Sequence, residues 1–264
     1  MSGEDNMKKE DLKNIADIIK AVPVYQDAIQ PAAKIIGQSL VTVAKAVDSA
    51  LAPLKLLVWG YDKIEVFLNN KLAEKLKDIP EEKIVTPPAY LAGPAIEALR
   101  FSGNSEDLRE LYANLLATSM NKDTSDKAHP GYVDIIKNLT PAEARLLKFF
   151  ASETSIPLID VNIKAESGHT SLITKYTLLN EYLNLEREFI IPVYITNLCR
   201  LGILEIPYGT YFVEDKQYEK IENCETINYT REEVKKLGKT IEIQRGILKL
   251  TNYGKDFIEC VVRN

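Results

Sequence analysis

Between Pro31 and Pro53 the chain reads "PAAKIIGQSLVTVAKAVDSALAP", and this stretch constrains the fold more than any other. Pro31 suits the first turn of a helix and Pro53 interrupts one. At helical spacing Lys34, Gln38, Lys45 and Asp48 fall on one narrow stripe, while nearly everything else is Ala, Val, Ile, Leu or Gly. A helix that is apolar over most of its circumference has to be covered. The cover would be its own domain or a sister subunit, or, in the sharper reading, a membrane surface. Ala32, Ala33, Gly37, Ala44, Ala46 and Ala50 would let a neighbour approach closely in either case.

With 264 residues the chain is long enough for one large domain or two modest ones. Apolar residues make up 45% and charged residues 27%, which is ordinary for a soluble globular protein. A formal net charge of −5 does not favour broad phosphate contact, so nucleic acid is not an expected partner. Cys199, Cys224 and Cys260 are scattered, with no Cys-x-x-Cys pair, which argues for reduced thiols rather than a disulfide framework or a zinc knot. The segment "MSGEDNMKKEDLKNIADIIKAV" lacks the basic-then-apolar order of a signal peptide. No stretch approaches the ~18 uncharged apolar residues of a membrane span. The expected location is the cytoplasm, with membrane association on activation as the alternative.

Along the chain, residues 1–10 read as a loose tail and Asp11 to Ala21 as a short amphipathic helix stopped near Pro23. Leu54 to Leu76, which carries Trp59 and Phe67, reads as a longer amphipathic helix. "IPEEKIVTPPAYLAGP" reads as a connector, because Pro87, Pro88 and Pro94 disfavour helix, with Pro94 opening the next helix, "PAIEALRF". "GNSEDLRELYANLLATSMN" is the clearest helix. Asn104 or Ser105 would cap it, and Leu108, Leu111, Tyr112, Leu115 and Leu116 form its apolar face. Its opposite stripe, Glu110, Asn114, Ala117 and Asn121, mixes small and polar residues and calls for a second contact. After a loop comes the short helix "YVDIIKNL". Thr140-Pro141-Ala142-Glu143 is then a capping box with proline at the first helical position.

After Ser152 the character changes. "IPLIDVNIKA", "ILEI", "TYFVE" and "TIEIQRGILKLT" have strand composition, and "YTREEVKKLGK" reads as a polar helix. A helix from about Phe189 ends near Leu201 with Gly202 at the turn, and "TNYGKDFIECVV" forms a last helix capped by Thr251. "SLITKYTLLNEYLNL" does not declare itself. The composition places a boundary near residue 152. The expected fold class is thus a mainly α N-terminal helical domain, residues 11–152, plus a smaller α+β, winged-helix-like domain, residues 153–264.

The phrases "ALAPLKLLVWGYDKIEVFL", "IVTPPAYLAGPAIEALR", "LRELYANLLATSMNKDT" and "KAHPGYVDIIKNLTPAEARLL" together resemble the abortive infection alpha (Abi-alpha) family, over Pro31 to Leu147 and more weakly toward the C-terminus. The resemblance implies a bacterial protein of anti-phage defence and supplies no catalytic residues. The pair "NLCRLGILEI" and "GILKLTNYGKDFIECV" resembles the end of a winged-helix domain with a polar insertion around residues 215–240. The helix that would read DNA there holds Arg200 as its only basic residue, which favours protein contact over DNA.

His129 is the strongest single candidate for chemistry. Asp123, Asp134 and Asn114 would orient it, and Arg109 would serve a nuclease-like site. Against this, its imidazole at the head of "HPGYVDIIK" would simply cap the helix that follows. Ser119, His129 and Asp123 spell a triad, but no nucleophile elbow accompanies them. With His129 and His169 the only histidines, a metal site would lean on Glu97, Glu106, Asp107 and Glu110, which a solvated first helical turn explains better. No cofactor fingerprint appears. The expectation is a non-enzymatic defence component that binds itself, a protein partner or a phage component. Lys34, Lys45, Trp59, Glu110, Asn114 and Asn121 are its candidate contact residues. A membrane-perturbing effector using the helix around residues 31–52, and a nuclease-like enzyme centred on His129, are the alternatives.

Overall fold

Helical residues come first in the computed structural model, which describes residues 61–165, 168–183 and 190–263 together with Lys45, Val47 and Ser49. The helix expected at Asp11 to Ala21, most of the Pro31–Ala52 stretch, Lys34 and Trp59 lie outside the described residues. Lys45, Val47 and Ser49 are helical. Val47 is fully buried in the main core, and Lys45 and Ser49 are exposed.

Helix α1 (Tyr61–Leu76) buries Leu68, Leu72 and Leu76, one turn apart on a single face. A connector with one 3-10 turn follows. It lies against the end of the helix that closes at Met120, where Val85 N–H donates to Met120 O at 2.8 Å and Lys122 N–H to Lys83 O at 2.9 Å.

Helix α2 (Ala89–Ser102) begins ahead of Pro94, which corrects the expectation that Pro94 opens it. The extended Pro88 caps the helix instead, and its carbonyl accepts from Leu91 and Ala92. Two local facts make an interior proline tolerable. The residue before it is Gly93, with no Cβ to clash with the proline ring. The carbonyl deprived of its donor belongs to Tyr90, which is exposed.

Helix α3 (Glu106–Met120) is capped by Ser105, whose side chain accepts from Leu108 N–H, and its predicted apolar face is buried throughout. Helices α4 (Gly131–Lys137) and α5 (Pro141–Phe150) follow, α5 with both bonds of its capping box formed.

The C-terminal part is built on an antiparallel sheet of strand order β2-β1-β4-β3, with β1 Ser155–Ala165, β2 Gly168–Tyr176, β3 Leu204–Glu205 and β4 Ile241–Leu250. Strand β1 pairs with β4 from Ser155↔Lys249 to Ile163↔Ile241. Its pairing with β2 slips between Ile159 and Asn162. There Lys175 adopts φ 54 and its N–H donates to Asp160 Oδ1 at 2.6 Å. Helices α6 (Leu179–Leu183), α7 (Ile191–Arg200), α8 (Lys216–Glu222), α9 (Glu225–Lys236) and α10 (Asn252–Val261) complete the described chain.

No strand forms at "TYFVE". Pro207 and Gly209 (φ +67) turn the chain, and the segment runs on as a loop. Helix α8 was not legible beforehand, and α9 starts ahead of the predicted "YTREEVKKLGK".

The protein has a mainly α N-terminal part and a smaller α+β, winged-helix-like part. One buried cluster extends from Val47 to Val261 and so passes through the junction between α5 and β1. A second, smaller cluster lies between the sheet and α8 and α9, around Val161, Tyr218 and Ile227.

Helix α10 brings the end of the described chain back onto α3. Thr251 accepts from Gly254 N–H at 2.8 Å as its cap and donates to Gly202 O. Gly202 has φ +75, the left-handed turn expected after α7. Gly254 is required by proximity: a Cβ there would lie 2.1 Å from Ile203 O. Phe257 is fully buried, edge-on to Tyr132 at 5.1 Å between centroids.

Candidate functional site

His129 stands exposed at the head of α4, and its Nδ1 accepts the Gly131 N–H at 3.1 Å. That bond satisfies one of the orphan donors of a helix start. It also requires an unprotonated Nδ1, so the proton of the neutral ring resides on Nε2. The ring packs near Tyr132 and Tyr253, with centroids 5.8 and 6.3 Å away. A Cβ on Gly131 would meet His129 Nδ1 at 3.0 Å and the Tyr253 hydroxyl at 3.2 Å. The His-Pro-Gly turn is therefore a tight corner against α10.

The residues proposed to work with His129 are engaged elsewhere. Asp123 Oδ2 pairs with Lys83 at 2.7 Å and ties the loop to the connector. Arg109 donates from Nη1 to Gly103 O at 3.0 Å, with its guanidinium carbon 5.5 Å from the Phe67 ring centroid. Asp134 is 3.9 Å from Lys137. Ser119 is fully buried and its hydroxyl donates to Leu116 O, one turn back. Among the described residues no three His, Cys, Asp or Glu side chains converge as metal ligands. Glu97 pairs with Arg100, and Asp107 with Arg145 and Lys148.

The polar stripe of α3 has its second contact within the chain. Asn114 Nδ2 donates to Val261 O at 2.7 Å, and Thr118 Oγ1 donates to Cys260 O at 2.9 Å. These are carbonyls of the last turn of α10, which has no helical donors for them. Asn114 and Thr118, one turn apart on α3, supply the donors. Glu110 on the same stripe accepts from Lys75 at 2.8 Å and lies 3.5 Å from Lys71. Burial works to raise the Glu110 carboxyl, but Lys75 and Lys71 outweigh it and hold it below the usual range. Asn121 closes the stripe with an isolated bridge to Ile84.

Helix α7 is the helix that the winged-helix resemblance would assign to DNA reading, and its one cation is bound within the chain. Arg200 donates from Nη2 to Asn197 Oδ1 at 2.7 Å and to Asn138 Oδ1 at 3.4 Å. Asn197 in turn donates to Glu143 Oε1 at 2.8 Å, joining α7 to the capping box of α5. Lys175 Nζ on β2 donates to Thr196 Oγ1 at 2.8 Å. The hairpin thus lies along the helix that would have faced a groove.

The feature that sequence reasoning missed is the loop after β3. Tyr208 is 100% exposed, Val213 92% and Tyr211 57%. Phe212 between them packs on the second cluster, and its N–H donates to Tyr218 Oη at 3.0 Å. Tyr218 is fully buried and donates to Gly246 O at 2.8 Å. One inward ring fixes the loop, and its neighbours on either side point outward. Tyr229 on α9 and Leu237 just after it are also exposed. Read as "TYFVE", the alternation of apolar residues mimics a strand; Pro207 and Gly209 just before it were the signal of a loop.

No curated protein sequence matches the chain. One solved structure, of an uncharacterized protein from the hydrocarbon-degrading marine bacterium Alcanivorax borkumensis SK2, is similar at 20% identity. It covers 49% of this chain and 91% of that one, with a TM-score of 0.34. The model of the family described as abortive infection alpha matches residues 60–261. The match begins after the apolar stretch and runs through the helical part and the winged-helix-like part alike. On that match, this chain belongs to the abortive infection alpha family.

Proposed function

We propose that the protein is a non-enzymatic component of anti-phage defence that acts through protein contact, with itself or with a partner. Family membership supports the general role in defence. The observation that carries the contact reading is the anchored loop with Tyr208, Tyr211 and Val213 turned to solvent. Exposed apolar groups gathered in one place mark interaction sites. Tyrosines are frequent anchors of interfaces, and a loop held in place by Phe212 would lose little freedom on binding.

The polar stripe of α3 is engaged within the chain by α10, α1 and the connector, so assembly would use other surfaces. Among the described residues no helix is long and apolar enough to cross a membrane.

The test is phage plaquing on cells carrying the gene, scored with cell survival. A combined Tyr208→Ser, Tyr211→Ser, Val213→Ser variant should lose protection while keeping its melting temperature. Light scattering on the purified chain, and pull-downs from infected cells, should show a species that this variant no longer forms. Full protection by the variant would sink the reading. Loss of protection in His129→Ala with an unchanged melting temperature would favour chemistry instead.

A further inference from the structure

We infer that the groove where α1, α2 and the start of α3 meet is a binding site for a small organic phosphate with a planar ring, of the nucleoside phosphate class. The groove has a volume of about 500 Å3 and is lined by Lys63, Phe67, Leu99, Arg100 and Arg109, with Gly103 and Asn104 at the α2–α3 turn. That volume falls within the range of small-molecule sites, roughly 300–1,000 Å3.

Its charge is one-sided. Lys63, Arg100 and Arg109 line it, and among the described residues no carboxylate does. Arg100 is offset by Glu97 at 2.8 Å, on its own helix. Lys63 makes no ion pair with any described residue. Arg109 spends one donor on the Gly103 carbonyl and rests on Phe67, so its planar group is held in place with further N–H donors unspent. Among the described residues two cations are thus left without an ion-pair partner, which matches a phosphate monoester carrying about −1.5 to −2 at neutral pH. Arginine suits phosphate because its fork presents paired donors.

The rest of the lining is apolar. Ile64, Phe67 and Leu99 sit in the same groove. Inorganic phosphate would leave these surfaces wet, and an uncharged ring would leave the cations unsatisfied. A ligand with both parts uses the whole groove. It would also touch three helices at once and so stabilise the folded chain as it binds.

The experiment is calorimetric titration and thermal denaturation of the full chain with the four 5′-nucleoside mono- and diphosphates, the parent nucleosides and inorganic phosphate. Saturable binding of at least one nucleoside phosphate is expected, with Kd below about 1 mM and a raised melting temperature. The nucleoside and the inorganic phosphate should each bind at least about tenfold more weakly. Lys63 is exposed, so Lys63→Glu should keep the ligand-free melting temperature and weaken binding at least about tenfold. Absence of saturable binding at about 1 mM would overturn the inference. So would equal affinity for inorganic phosphate, or binding that Lys63→Glu leaves unchanged. These outcomes do not touch the loop of Tyr208, so the contact reading stands or falls separately.

Discussion

Asn114 Nδ2 lies 2.7 Å from the carbonyl oxygen of Val261, across 147 positions of sequence. One amide on α3 closes the end of a helix that belongs to the other half of the chain, and Thr118 repeats the contact one turn on. Part of the stripe that calls for a second contact in sequence is a seat for α10.

Replacing Asn114 with Ala should therefore loosen α10. The Val261 carbonyl would lose this donor in a buried setting, at a cost of about 1–3 kcal/mol. Cys260 reports on this directly. It is 2% exposed, and burial pushes its thiol up to about 11. Alkylation of Cys260, followed by mass spectrometry of its peptide, should be slow in the native protein. In Asn114→Ala it should speed up at least about fivefold, the factor equivalent to about 1 kcal/mol. Unchanged labelling would mean that α10 is held by its apolar face alone.

Gly254→Ala should be among the most damaging small substitutions in the chain. The added Cβ would fall 2.1 Å from Ile203 O, a backbone atom with no rotamer to move. The cap of α10 or β3 would have to shift, at a cost on the order of 3 kcal/mol or more. Chemical denaturation measures it. A loss under about 1 kcal/mol would show that the α10 start has room to slide.

Acid should weaken the α3 contacts in a defined window. Burial raises both Asp107 and Glu110, but Lys148 and Arg145 around the first, and Lys75 and Lys71 around the second, leave each below its ordinary value. A lowered folded value means stability that is fully present above the ordinary values of 3.8 and 4.5 and lost as pH falls through the lowered ones. The melting temperature should hold from about pH 7 to about pH 5 and drop toward about pH 3. Glu110→Gln should shrink that drop, because it removes one of the groups that must take up a proton. An equal drop in wild type and variant would place the acid sensitivity elsewhere.

What could be read in advance was local. The box at Thr140 and Glu143, the Ser105 and Thr251 caps and the Gly202 turn each depend on residues a few positions apart, and all four form. Pro94 misled because a rule about proline outweighed the glycine before it, which removes much of the clash. Strand β2 stayed hidden because its partners are supplied by β1 and its pairing slips at Lys175. The occupant of Asn114 and Thr118 was invisible for a different reason: sequence shows that a face is unusual, but not which distant segment covers it. Tyr211 and Val213 suggest a strand in sequence because alternation looks the same whether a neighbouring strand exists or not.

The Asn114–Val261 contact also sets a schedule for synthesis. A ribosome adding about 5–20 residues each second needs on the order of ten seconds to travel from one partner to the other. For that interval α3 is made while α10 is not, and its seat is open to the cell. A seat of leucines would be adhesive during the wait. The amide of Asn114 and the hydroxyl of Thr118 keep part of that seat wetted until its cover arrives.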